Sequence, residues 1–349
     1  MRLDLGEDQR AIDEVFAAFF RRESPVAVVR AAEPLGYDAS LWAKLAELGG
    51  PGMGAPETAG GGGAGLGDLA VVTDHLGQTI APVPFVEHTV ASRLLARFDL
   101  DLDDIVSGGR IATLAVRPAP AGATTWPLVP AGAVADVVVG LVGDDLVCVQ
   151  SEPPGAAPHN HAAMPIADRT APSTTPMVLA TGDDARAAFA HAYAEWQTLT
   201  AWSLTGIAVA AQEIALEYVK ERHQFDRPIG SFQALQQQLA DLPIVIAGAQ
   251  LLAGKAAWAG DRGTPGVVDT ELCDITDFET LAGMAFLFAS DAAALATDRS
   301  LHAHGGYGYA EEYDIQLYYR RARGWALVAG DPAHEALRLA DSMFGPVAR

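Results

Sequence analysis

The apolar residues of this chain change period twice. Up to about residue 108 they recur at helical spacing, from about 109 to 180 they gather in short β-branched runs between Pro/Gly turns, and from about 181 to 349 the helical spacing returns. Period is the primary structural signal, because an amphipathic helix buries every third or fourth residue and a strand every second. A helical–β–helical order predicts a mainly α fold with a small β domain packed against a central bundle. The three stretches are the expected domains: an N-terminal helical domain (1–108), a shortened middle β domain (109–180) and a C-terminal helical bundle (181–349).

In the first stretch Ile12, Val15, Phe16, Phe19 and Phe20 form one helical stripe. Leu41, Leu45 and Leu48 form another, which Gly49-Gly50-Pro51 stops, and Leu69, Val72, Leu76 and Ile80 mark a third. The glycine run at 60–65 has no strand before it and no Gly-Lys-Ser/Thr after it, so it reads as an interhelical loop rather than a phosphate cradle. In the middle stretch 111–116, 136–141 and 146–150 read as strands, the last two joined at Gly143-Asp144-Asp145. Residues 153–176 read as loop with one short strand. The last stretch predicts a helix from about 184 to 221, with Ile207, Ala211, Ile214 and Tyr218 on one face. A second helix starts at about Ser231 and carries Leu235, Leu239, Leu242, Ile246, Ala249 and Ala253, with Pro243 set to kink or split it. Two more are expected at about 269–300 and 333–343.

Lys plus Arg is 23 against 44 Asp plus Glu, a formal net charge of −21. Such a surface repels a phosphate backbone, which argues against nucleic acid as a partner. Cys148 and Cys273 form no CxxC pattern and read as free thiols of a reducing compartment. Residues 1–7 are polar and charged, unlike a secretory signal, and no run approaches the roughly 20 apolar residues of a membrane span. A cytoplasmic protein without membrane attachment is expected.

Two segments carry chemistry. At 221–233 a helix ends, Pro228-Ile229-Gly230 turns the chain, and Ser231 is placed to cap the next helix. Arg222 and Arg227 flank the turn. Guanidinium groups beside a helix start suit a diphosphate, but the same pattern describes a plain helix-turn-helix with solvated arginines. The second segment runs from His302 to Tyr309. Gly305, Gly306 and Gly308 let backbone approach a ligand closely. His302 and His304 lack the Cys or carboxylate company of a metal site, so no metal is expected. Arg320, Arg321 and Arg323 read as a solvated helix face with salt bridges.

Taken together, these segments resemble the acyl-CoA dehydrogenase family. The residues that carry the resemblance are Arg222-x-x-Phe225-x-x-Pro228-Ile229-x-x-Phe232-Gln233 with Leu239-Ala240-Asp241, and His304-Gly305-Gly306-x-Gly308-Tyr309 with Glu312 and Tyr313. Leu41-Trp42 with Leu48-Gly49, Pro56-Glu57 before the glycine run, Gly77 with Ala81-Pro82 and Pro84, and Ala135-Asp136 before a valine run agree in order. The resemblance implies an N-terminal helical, a middle β and a C-terminal four-helix-bundle domain. It also implies FAD, which would oxidise an acyl-CoA thioester at its Cα–Cβ bond. A carboxylate in an apolar pocket takes the α proton, hydride passes to the flavin, and an electron-transfer flavoprotein takes the electrons. Arg222, Gln224 and Phe225 would then touch the FAD diphosphate. Gly305 and Gly306 would meet it from a neighbouring subunit, which implies an oligomer. His302 stands where the family usually has Gln and still donates a hydrogen bond.

The family's glutamate base is not found at either of its usual places. In the stretch after the arginines Ala329 occupies the position, and in the long helix of an alternative branch Trp196 does. The substitutes are Glu195 and Asp331. Glu195 is turned about 100° from Trp196 around a helix and reads as exposed. Asp331 reads as the cap of the helix after Pro332. The family's flavin-covering loop is absent from 117–125. These losses resemble the short, base-lacking subunit of heterotetrameric actinobacterial acyl-CoA dehydrogenases that act on sterol side-chain CoA esters. A homologous partner would supply the base. A homo-oligomeric dehydrogenase with a displaced base, and a non-catalytic scaffold on the same fold, are the alternatives.

Overall fold

The computed structural model describes residues 5–170, 177–263, 265–271 and 274–345. Its first part is helical: α1 (Glu7–Glu23), α2 (Val26–Ala32), α3 (Ala39–Glu47), α4 (Leu66–Thr79), α5 (Phe85–Leu95) and α6 (Asp103–Val106). Phe16, Phe19 and Phe20 are buried as the stripe requires, but Val15 faces solvent at 47% exposure, so the buried face of α1 is narrower than expected. Leu48 is exposed too, because it lies past the end of α3, where Gly49 turns the chain with φ +82°. Helix α5 is buried nearly all round, its Glu87, His88, Thr89 and Ser92 included. It has no amphipathic stripe, which is why helical spacing does not reveal it.

The β part forms a four-stranded sheet of order β1 (Ala112–Leu114), β3 (Val137–Val142), β4 (Asp145–Gln150), β6 (Met177–Thr181), with β2 (Thr125–Val129) and β5 (Ala167–Thr170) paired beside it. Only β1–β3 is parallel; β3–β4 is the hairpin expected at 143–145. Trp126 anchors a small core of its own, its indole N–H donating to the Leu141 carbonyl at 2.9 Å. Cys148 is a buried free thiol that burial pushes up to about 11, with Arg110 acting weakly against it. Cys273 and the end of the loop at 171–176 lie outside the described residues.

Helix α7 (Gly182–Glu221) is 40 residues, roughly 60 Å long, and is the axis of the bundle. A tight hairpin, β7 (His223–Gln224) and β8 (Arg227–Pro228), follows it. Then come α8 (Gln233–Ala240), α9 (Leu242–Asp261), a ribbon of β9 (Val268–Asp269) and β10 (Asp274–Ile275), α10 (Phe278–Ala303), α11 (Ile315–Ala326) and α12 (Pro332–Phe344). Pro243 splits the second expected helix: it sits in the first turn of α9, where a missing N–H costs nothing. Ser231 is not the expected cap. Its hydroxyl donates to the Pro228 carbonyl at 2.8 Å inside a 3₁₀ turn, and α8 begins at Gln233. Helix α10 starts later than expected, where the Asp277 carboxylate accepts from the Thr280 N–H. Where α4 crosses α7 the backbones touch. A Cβ on Gly77 would lie 2.0 Å from the Ser203 carbonyl oxygen, and one on Gly206 2.1 Å from that of Asp74, so only glycine fits at either place.

Three helical spans, Gly182–Glu221, Gln233–Asp261 and Phe278–Ala303, are long and apolar enough to cross a membrane, contrary to the sequence expectation. In the first and third, 67% of the most apolar window is buried inside the protein, so packing within the bundle accounts for their composition; in the second the share is 39%.

Candidate functional site

One end of the bundle gathers both sequence motifs. The hairpin after α7 turns on Phe225 (φ 54°) and Asp226 (φ 62°), two left-handed residues that no glycine relieves. Phe225 stands 85% exposed, edge-on to Phe232, while the Arg227 guanidinium lies 4.1 Å above the Phe232 ring. Arg222, the last cap of α7, places its guanidinium 5.2 Å from the ring of Tyr307, which belongs to the 3₁₀ turn Gly305–Tyr309. The structure therefore brings Arg222 to the glycine turn within one chain. Gly305 (φ +61°) and Gly306 have open space around them, with no atom within 4 Å of where a Cβ would sit. His304 is buried, stacked on Tyr218 at 4.1 Å, and donates from Nδ1 to the Ser300 carbonyl. His302 is exposed and reaches the Asp298 carbonyl at 3.0 Å. Gln224 is exposed on the hairpin. Neither Arg222 nor Arg227 forms an ion pair among the described residues. In so acidic a chain, the Arg222 guanidinium beside an open glycine turn, with Arg227 on the same hairpin as Gln224, fits a diphosphate.

A second site is central. The loop from α4 to α5, the 131 and 163–165 loops, α7 and α11 enclose a pocket with about 40 Å³ of free volume. Trp196 of α7 and Glu87 of α5 both line it. Burial pushes the Glu87 carboxyl up to about 7; its own backbone amide and the Trp196 indole N–H act the other way. That N–H faces the carboxyl without closing a hydrogen bond of normal geometry to any described residue. Arg321 also lines the pocket. It is not on a solvated face as expected: it is 2% exposed and donates to Glu33 at 2.8 Å.

The two substitute bases fare differently. Glu195 is not exposed but 4% accessible, because α5 brings Arg93 against it. Arg93 Nε and Nη2 donate to Glu195 Oε1 at 3.1 and 2.9 Å, and His191 Nε2 lies 3.5 Å away. Burial pushes the Glu195 carboxyl up, but His191 and Arg93 outweigh it and hold it below the usual range. Glu195 does not line the pocket of Trp196; it faces an open cleft with Arg97, Glu57 and Glu279. Asp331 caps α12 as expected, accepting from the Ala333 N–H at 2.9 Å. Just before it, Arg117 donates to the carbonyls of Leu327 and Val328, which pins the segment carrying Ala329.

Comparison with known proteins decides the family. Residues 6–98 match the acyl-CoA dehydrogenase N-terminal domain and residues 193–344 the acyl-CoA dehydrogenase C-terminal domain. The acyl-CoA dehydrogenase IpdE2 of Mycolicibacterium smegmatis is 31% identical over 345 residues, covering 97% of this chain and 100% of its own. The chain belongs to the acyl-CoA dehydrogenase family. Acyl-CoA dehydrogenase FadE27 of Mycobacterium tuberculosis is 31% identical over 330 residues, 87% of each chain. Among solved structures, the Tcur3481–Tcur3483 steroid acyl-CoA dehydrogenase superposes with a TM-score of 0.82 at 27% identity, covering 97% of this chain and 98% of that one. The ChsE4–ChsE5 complex of M. tuberculosis does so with 0.83 at 23%, over the full length of both chains. An acyl-CoA dehydrogenase is an oxidoreductase, and FAD is the cofactor that goes with the family. The mainly α fold with a small β domain is the one that the sequence predicts. The residue that sequence reading of this dehydrogenase missed is Glu87. Only a weak sign of it stands in the sequence: Val90 and Ala91, rather than a base, stand at the helical i+3 and i+4 places, but His88, Thr89, Ser92 and Arg93 make 85–95 look like a partly solvated segment.

Proposed function

We propose that the chain is one subunit of an FAD-dependent acyl-CoA dehydrogenase that desaturates the Cα–Cβ bond of an acyl-CoA thioester, and that a homologous partner subunit supplies the base. One observation carries this reading. Arg93 and His191 engage the buried Glu195 carboxylate, and counted along the sequence Trp196 would stand where one branch of the family has its glutamate and Ala329 where the other has it. A second feature supports the partner. On α9 Ile244 is 73% and Leu251 57% exposed, one ridge with Gly248 between them, and Phe288 of α10 lies against Gly248. An apolar ridge on an acidic protein is a docking face for another chain.

FAD, when bound, supplies the hydride acceptor. On this chain Arg222 and Gln224 would hold its diphosphate, with Phe225 against it; Gly305 and Gly306 would leave room for the cofactor of a neighbouring subunit, and His302 would donate from the turn's edge. The central pocket does not take a three-ring system at about 40 Å³. The three-domain division at 108 and 180, an electron-transfer flavoprotein as acceptor, and a cytoplasmic setting belong to the same proposal.

The test is the flavin-to-chain ratio from the visible spectrum, for the chain expressed alone and with a neighbouring dehydrogenase-like chain. Little flavin and no thioester oxidation alone, with both gained in the pair, is expected. Rapid oxidation of acyl-CoA by the chain alone overturns the proposal.

A further inference from the structure

The central pocket is apolar except for a few groups, and one of these is left without a normal partner. The Trp196 residue is 1% exposed, and its indole N–H is orphaned. The Glu87 carboxyl lines the same pocket, and the Trp196 N–H and its own backbone amide are the groups that act on it. Buried donors in folded proteins are nearly always satisfied, so a donor without a well-formed partner beside a buried acid marks a place where something else binds. The backbone around the pocket gives a separate sign. Ile80, Ala131 and Ala163 all line it with left-handed φ of 44°, 56° and 42°. For a β-branched residue such as Ile80 this is a true outlier, and strained backbone of this kind concentrates at ligand sites. Gly36 completes the wall with φ +83°, where any Cβ would lie 2.3 Å from the Ala163 carbonyl oxygen.

Resting on the dehydrogenase reading above, we propose that this pocket recognises one uncharged oxygen, a ketone or hydroxyl, on the part of an otherwise apolar acyl group that reaches past the reacting carbons, held by the Trp196 N–H with the Glu87 carboxyl beside it. The Trp196 N–H donates to that oxygen. The Glu87 carboxyl donates a second hydrogen bond to a ketone when protonated, and exchanges one with a hydroxyl in either state. A carboxylate is disfavoured, because no cation stands against Glu87 and the pocket's guanidinium, Arg321, is turned to Glu33. An all-carbon end is disfavoured because it leaves the Trp196 donor without a well-formed partner, and a site built to hydrogen-bond an oxygen rejects the analogue that lacks it. The free volume of about 40 Å³ admits a terminal group and not a whole ring system.

The test compares two CoA thioesters on one skeleton, 3-cyclohexylpropanoyl-CoA and 3-(4-oxocyclohexyl)propanoyl-CoA. Their dissociation constants are measured by calorimetry on the flavin-loaded protein as purified, with its partner where it comes in a complex. The keto thioester binds at least about tenfold tighter to the wild type. Trp196→Phe and Glu87→Leu each bring the ratio near one, while Glu87→Gln keeps it. Where Glu87→Leu does not fold, Trp196→Phe decides. Equal binding of the two thioesters by the wild type, or a ratio that Trp196→Phe leaves unchanged, overturns the oxygen niche and leaves the dehydrogenase reading standing. Failure of either thioester to bind, with or without a partner chain, overturns both.

Discussion

Arg93 holds Glu195 through two nitrogens at once, Nε and Nη2 both on Oε1, while its Nη1 donates to the carbonyls of Gly54 and Ala64 at 2.9 and 3.1 Å. One guanidinium thus ties α5 to α7 and fixes the loop over 54–64. The carboxylate is buried, so it is worth more to the fold ionised and paired than it is to catalysis as a free acceptor. Arg93→Ala leaves that charge uncompensated and is expected to lower stability by roughly 3–5 kcal/mol, read from thermal or urea unfolding. Glu195→Gln, in the flavin-loaded protein with its partner, is expected to bleach the flavin with acyl-CoA at a rate within about twofold of wild type, because loss of a true proton acceptor costs roughly 10²-fold or more. A drop of that size would make Glu195 the base.

Glu87 sets a pH dependence of stability. Its carboxyl is displaced from 4.5 to about 7 by burial, so between those values the folded protein holds a proton that the unfolded chain has released. Stability from this group is present below pH 4.5 and is lost as pH rises through 7. The groups facing it are the α5 backbone and Trp196 of α7, with Arg321 of α11 elsewhere on the pocket wall. Glu87→Gln removes the titration. The variant is expected to match the wild type near pH 4 and to be more stable by up to roughly 3 kcal/mol at pH 8, by thermal unfolding at both.

Much of this was legible because it rests on local rules. Pro243 had to break its helix, Asp331 had to cap one, and the Arg222 and Gly305 motifs each follow the C-terminal end of a long bundle helix, α7 and α10. What the sequence hid is what depends on distant residues. Glu195 looked exposed because its partner Arg93 stands 102 residues away. Arg321 looked solvated because Glu33 comes from the first helical layer, 288 residues earlier. Helix α5 and Glu87 escaped because a helix buried on every side carries no period to read. The hairpin turn escaped because Phe225-Asp226 is not a turn sequence: Asn-Gly would be.

That mismatch is itself testable. Two non-glycine residues with positive φ in an exposed two-residue turn hold strain that local packing does not repay. Phe225→Asn with Asp226→Gly is expected to raise thermal stability by roughly 0.5–2 kcal/mol. If Phe225 is kept for the cofactor, the same double variant loses flavin on gel filtration under conditions where the wild type retains it. Retention of flavin together with higher stability would remove Phe225 from the site.

The α9 ridge separates a docking face from a stray apolar patch. Ile244 and Leu251 stand one above the other across Gly248, whose lack of a side chain lets the Phe288 ring lie 3.1 Å from where a Cβ would sit. The three apolar groups thus present one surface, and exposed side chains of this size contribute nothing to the fold of a single chain. Ile244→Glu adds charge to the patch without disturbing the buried face of α9, where Ile246, Ala249 and Ala253 pack. The single chain is therefore expected to keep its unfolding temperature within about 2 °C, since surface changes away from buried contacts rarely exceed about 0.5 kcal/mol. Its assembly is expected to fall apart: on size-exclusion chromatography the wild-type oligomer, with itself or with a partner chain, gives way to a single chain in Ile244→Glu and Leu251→Glu alike. An unchanged elution volume in both variants would place the subunit interface elsewhere on the bundle.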